Sequence, residues 1–114
     1  MTKTRLRPKG HHGAIRNNAT QGVKAGNLIF VGGQMSLDEQ GRVSANDIAT
    51  QTRNALESVR SVLAEAGASM QDVVKHNVYY DFEGSDEEES RLLAEMNQVL
   101  LEYFTEPGPT STQL

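Results

Sequence analysis

The sequence has no cysteine, no tryptophan, only three prolines, and aromatic residues at just 5%. Without thiols there is no disulfide framework, no thiolate nucleophile and no cysteine-ligated metal, a composition suited to a reducing cytoplasm. No apolar run approaches the roughly 18 residues that a membrane-spanning helix needs, so no membrane partner is expected. The opening stretch, "MTKTRLRPKG", is basic but has no apolar segment behind it, unlike a secretory signal. There is no Walker sequence, dinucleotide fingerprint, internal repeat or low-complexity tract. The net charge of -4 gives no bulk attraction for a polyanion, which argues against a nucleic-acid partner.

What is present is one domain's worth of chain, 114 residues, enough to bury a modest core. Its charge is uneven. Lys3, Arg5, Arg7, Lys9 and Arg16 are five of the eleven basic residues, and residues 1–16 read as a basic, solvated N-terminal arm. Residues 17–114 read as the folded domain. The adjacent His11 and His12 point apart in an extended loop, with no third histidine or cysteine near in sequence, so no metal site is expected.

Leu28-Ile29-Phe30-Val31 is a short run of strand formers after the Gly26-Asn27 turn signal, and a strand ending near Lys24 would complete a hairpin. Gly32-Gly33 ends the strand or admits a close backbone approach, and "GGQ" offers backbone amides and a side-chain amide to a carboxylate. A sharp bend is expected at Gly41. Ile48, Thr52, Ala55, Leu56, Val59, Val62, Leu63 and Ala66 then form one helical stripe, with Ser44 and Asp47 as the N-terminal cap and Gly67 as the stop. "DVVKHNVYYDF" alternates as a strand, with Val74, His76, Val78, Tyr80 and Phe82 on one face. His76 reads as a packed or hydrogen-bonded histidine.

A second helix is expected from about Asp86 to Phe104, with Leu92, Leu93, Met96, Val99, Leu100, Tyr103 and Phe104 as its stripe. Glu87, Glu88 and Glu89 in its first turn face the positive end of the helix dipole, worth roughly a few tenths of a kcal/mol each, and Pro107 lies past its end. Two amphipathic helices need a sheet to lie on, so the fold class is α+β, a mixed sheet with both helices on one face. The other sheet face then needs cover from more chain or from another subunit. The final stretch, "PGPTSTQL", reads as a turn followed by a few polar residues.

The hairpin "QGVKAGNLIFVGGQ", the helix segment "QTRNALESV", then "AGAS", "DVVK" and "MNQVLLEYF" together resemble the RidA family, also known as YjgF or endoribonuclease L-PSP. The resemblance spans roughly residues 21–112. It implies a chorismate-mutase-like subunit that forms homotrimers, with small-molecule clefts between neighbours. Deaminating members hydrolyse reactive enamines and imines such as 2-aminoacrylate without a cofactor. In them an arginine holds the substrate carboxylate through its planar fork.

That resemblance places Gly32, Gly33, Gln34, Asn97 and Ser111 at the ligand-binding positions and singles out no catalytic residue. Ser111 stands where the deaminases carry the arginine, Gly32 where a serine is frequent, and Ala19 where a cleft tyrosine is frequent. Losing a bidentate anchor costs on the order of a few kcal/mol of substrate binding. The family's final strands, with an acidic cleft residue, are not expected within residues 17–114. The leading expectation is a cofactor-independent hydrolase of small enamines or imines. A non-catalytic small-ligand trimer and one chain of a processed two-chain assembly are the alternatives, and ribonuclease activity is disfavoured by the acidic charge.

Overall fold

A computed structural model of the chain describes residues 2–8, 20–38 and 40–114. His11, His12, Arg16 and Ala19, singled out in the sequence, lie outside these. The elements run β1 (Lys3–Leu6), β2 (Gly22–Ala25), β3 (Leu28–Val31), α1 (Ile48–Glu65), β4 (Lys75–Val78), α2 (Asp86–Tyr103) and β5 (Thr110–Gln113), with a 3-10 turn at Met70–Asp72. Antiparallel pairing in the order β1-β2-β3 makes one ladder, and parallel pairing of β4 with β5 makes the other.

The expected hairpin is present, turned at Gly26 with φ 61°, the left-handed conformation that glycine adopts without strain. Both helices bury the stripes read from their spacing. Leu56, Val62 and Leu63 of α1 and Met96, Val99 and Tyr103 of α2 are buried, with Met70 between them and Leu6 from β1. Ile29 and Val31 of β3 pack on this core, so their face of the first sheet lies against the helices. Burial of such side chains stabilises by about 1.5–3 kcal/mol each.

The caps differ in detail from expectation. Asp47 alone caps α1, accepting from the Thr50 amide at 2.8 Å. Ser44 instead bonds Ser36, Oγ to Oγ at 2.9 Å, and Asn54 of α1 donates to the Ser36 hydroxyl at 3.0 Å. The Ser36–Ser44 pair thereby pins the loop after β3 to α1. Gly67 follows the end of α1 at φ 76°, as its composition implied. Ser85 and Glu88 close a reciprocal capping box ahead of the acidic first turn of α2.

Two segments depart from the sequence reading. Lys3–Leu6, assigned to the basic arm, is a strand paired with β2, because Leu6 is buried and the strand extends the hairpin's ladder. The closing stretch, read as a turn with polar residues, contains β5. Thr110 and Thr112 are β-branched and suit an extended backbone, and the parallel ladder to β4 satisfies their backbone groups. Val74 also leaves its expected face and is exposed, since the regular strand begins only at Lys75.

The helices are tied to each other by charge. The Tyr103 hydroxyl donates to Glu57 Oε2 at 2.6 Å. Arg60 donates to the same oxygen at 2.8 Å while its guanidinium lies 5.0 Å from the Tyr103 ring centre. Burial, then the Glu57 carboxylate, pushes the Tyr103 phenol up to about 12. Arg53 adds a two-fold contact to Glu102 at 2.9 and 3.1 Å.

On the other side of the first sheet, Leu28 and Phe30 are 61% and 60% exposed. Val23 pairs with Phe30 and Ala25 with Leu28 on that same face. One face of this sheet is covered by helices and the other presents apolar side chains outward.

Helix and sheet approach closely at Gly22, where an added Cβ would lie 2.6 Å from Val62 Cγ1 and 3.2 Å from Leu6 Cδ1. Gly22→Ala is therefore expected to destabilise the fold by about 1–3 kcal/mol through overpacking. Thermal unfolding checks this, with Gly33→Ala as the comparison, since nothing lies within 4 Å of a Cβ there. Equal midpoints for the two variants would show that Val62 yields without cost.

Candidate functional site

The expected site residues stand on separate elements of the protomer. Gly32, Gly33 and Gln34 leave the end of β3. The Gly32 amide donates to the Gln21 carbonyl at 2.8 Å. A Cβ on Gly32 would come within 3.3 Å of that same oxygen, so any side chain at this position would sit tightly. One of the backbone amides that "GGQ" offers is therefore already engaged. Gln34 Nε2 donates to Gln21 Oε1 at 3.2 Å and to the Gly32 carbonyl at 3.1 Å.

Gln21 is buried and was not singled out in the sequence. The hairpin register could have found it: Gly22 pairs with Val31, which sets Gln21 beside Gly32. Its side chain fixes the amide of Gln34, and the Ser36–Ser44–Asn54 contacts anchor the loop that follows. The turn beyond them is closed by Asp38, whose carboxylate accepts from the backbone amides of Arg42 and Gln40 and from the Arg42 side chain. Those bonds, that from the Arg42 amide first, hold its carboxyl below the usual range.

The second group lies where β4 and β5 meet α2. Ser111 pairs with His76 across the parallel ladder, and its Oγ lies 3.4 Å from His76 Nδ1. The His76 ring stacks on Phe104, centroids 5.0 Å apart and planes 15° from parallel. Asn97 of α2 accepts through Oδ1 from Gln113 Nε2 at 2.7 Å. Ser111 and Gln113, two residues apart on β5, share the side that faces the helices. His76 is thus packed and hydrogen-bonded, as read from the strand, but it also adjoins an expected site residue. Gln113 is a second residue that the sequence reading missed. Only the existence of β5 brings it to Asn97.

Burial lowers the His76 imidazole from its ordinary value of 6.5, which favours the neutral ring. Together the second group offers a hydroxyl, a neutral imidazole and two primary amides. These groups donate and accept hydrogen bonds without carrying charge. Among the described residues no group of three or more His, Asp or Glu side chains could hold a metal ion.

An α+β subunit with two helices on one sheet face and small polar groups at the strand ends belongs to the chorismate-mutase-like fold class. The chain is a member of the endoribonuclease L-PSP family, whose model matches residues 12–114, and so of the RidA or YjgF group. It is 42% identical to a RutC family protein of Pyrococcus abyssi over 91 residues, 79% of this chain and 66% of the relative. It is 36% identical over 88 residues to the 3-aminoacrylate deaminase RutC of Acinetobacter baylyi, covering 76% of this chain and 64% of that one. The chain thus spans about two thirds of the length of these relatives. A Mycobacterium tuberculosis structure of the YjgF/YER057c/UK114 family superposes with a TM-score of 0.73 at 26% identity, covering 99% of this chain and 83% of that one.

The packing of His76 has a measurable consequence. Its depressed pKa means that the unfolded chain binds the proton more readily, so its contribution to stability is fully present above about 6.5 and declines as pH falls below that value. An NMR titration of the ring is expected to give a midpoint under 6.5. Phe104→Ala, which removes the stacked ring, is expected to move that midpoint upward; a midpoint unmoved in the variant would place the cause of the shift elsewhere.

Proposed function

We propose that this chain is a cofactor-independent hydrolase that deaminates small enamines or imines, working in the cytoplasm as a homotrimer with its ligand clefts between copies. The observation that carries this reading is the 36% identity to a 3-aminoacrylate deaminase. The geometry is compatible with the chemistry. An enamine that takes a proton on carbon becomes an imine, and water then adds to the imine carbon. When the nitrogen gains a further proton, the C–N bond breaks, ammonia leaves and a carbonyl remains. No electron acceptor is consumed. The protein's task is to hold the substrate and orient a water, which a primary amide such as that of Asn97 can do as donor and acceptor at once.

Assembly is supported by the outward Leu28 and Phe30. Covering each with a neighbouring copy would contribute about 1.5–3 kcal/mol. The placement of Gly32–Gln34 at the end of one ladder and Ser111 on another also suits clefts completed by a neighbour. The endoribonuclease name carried by the family gains no support from the net charge of -4.

Ammonia release from freshly generated 2-aminoacrylate and 3-aminoacrylate tests the activity. Acceleration over buffer is expected, with Asn97→Ala slower by about tenfold, the cost of one hydrogen bond to the reacting groups. No acceleration by the wild type would leave a binding trimer as the surviving account. Sedimentation tests the assembly: the wild type is expected as a trimer, and Phe30→Asp as a smaller species. A wild-type monomer would overturn the shared clefts.

A further inference from the structure

His76 is the titratable side chain of the second polar group, and the chemistry described above gives it no task. It is half-buried on β4, and its Nδ1 lies 3.4 Å from the Oγ of exposed Ser111 on β5. The Phe104 ring stacks on it from the end of α2. We propose that His76 takes up a proton when a small carboxylate binds at Ser111, so that the two side chains anchor the anion as an imidazolium–hydroxyl pair. The inference rests on the reading above, in which aminoacrylates are the substrates, and names the residues that hold their carboxylate.

The proton changes what Ser111 can offer. A neutral imidazole has one donor and one acceptor nitrogen, and where Nδ1 is the acceptor it consumes the Ser111 hydroxyl hydrogen. An imidazolium donates from both nitrogens, so the Ser111 oxygen accepts and its hydrogen is free to meet a carboxylate oxygen. The positive charge then sits one hydroxyl behind the anion. The Asn97 and Gln113 amides add N–H donors on this side but no charge. Other charges nearby are engaged or turned away. Lys75 alternates to the opposite side of β4 and is exposed there. At the end of α2, Glu102 is paired with Arg53, Tyr103 donates to Glu57, and Glu106 is exposed past the last turn. Burial is what depresses the His76 pKa, so none of these groups holds the ring in one state. An opposite charge beside a buried imidazole favours its protonated form, and the bound carboxylate supplies that charge. Affinity for the carboxylate therefore rises as pH falls toward the midpoint of the unliganded ring and levels off below it.

Crotonate serves as the probe, because it carries a methyl group where 3-aminoacrylate carries its amino group and is stable in water. The full chain is titrated with crotonate and, as the uncharged control, with crotonamide, while the His76 ring signals are followed by NMR. The crotonate Kd is expected to be at least about fivefold lower at about pH 6 than at about pH 8, the linkage of a ring midpoint that rises by about one pH unit on binding. The crotonamide Kd is expected to stay within about twofold over the same range, since no charge is brought to the ring. Ser111→Ala, on an exposed strand, keeps the ring and is expected to weaken crotonate about tenfold at the lower pH, the worth of one charge-assisted hydrogen bond. His76→Gln is expected to abolish the pH dependence. A crotonate Kd that ignores pH overturns the proposal, as does a ring midpoint unmoved by saturating crotonate, an absence of binding, or a pH dependence that survives His76→Gln. Failure of the deaminase reading looks different: crotonate binds with the expected pH dependence, yet ammonia release from 2-aminoacrylate and 3-aminoacrylate stays at the rate in buffer.

Discussion

Val62 has no solvent exposure, and the strand residue across from it is Gly22 because no Cβ fits in the space between them. This close approach of α1 to the hairpin is the constraint from which the other features descend. It brings Ile29 and Val31 into the core with Leu56, Leu63, Val99 and Tyr103. By alternation it then leaves Leu28 and Phe30 pointing away. A sheet fixed this tightly on one side has no freedom to hide its other side, so the outward apolar face is a consequence of how the core closes.

The same packing sets the polar groups in place. Hairpin register puts Gln21 beside Gly32, and Gln21 in turn holds the amide of Gln34. At the other ladder, Phe104 emerges from the end of α2 to stack on His76, and His76 faces Ser111. Neither group has a rigid scaffold of its own. Each borrows its geometry from a strand that the core has fixed, and that is the basis for oriented hydrogen bonding in a small domain.

The helices are joined by apolar contact and by a knot of charge. Glu57 receives both the Tyr103 hydroxyl and Arg60, and the arginine also covers the aromatic ring. The carboxylate is shared between two donors on the exposed side of the helix pair. Most of the stabilisation there comes from the buried ring, since ion pairs in contact with water contribute little by themselves.

The spacing of apolar residues was sufficient to locate both helices, their buried stripes, the α+β class and the hairpin. Those features follow from local periodicity and from turn chemistry at Gly26 and Gly67. The motif resemblance likewise pointed to the family that the comparisons bear out. Tertiary structure alone decided the rest. Thr110–Gln113 is a strand because β4 offers it a ladder, and Lys3–Leu6 is one because Leu6 finds the core; neither fact is encoded in the segment's own pattern. The partners of Ser111, Asn97 and Gln34 were equally hidden. Ser111 and His76 are separated by 35 positions, Asn97 and Gln113 by 16, and Gln21 and Gln34 by 13. Pairings over such distances are fixed by register and packing, which a local reading of the chain does not contain.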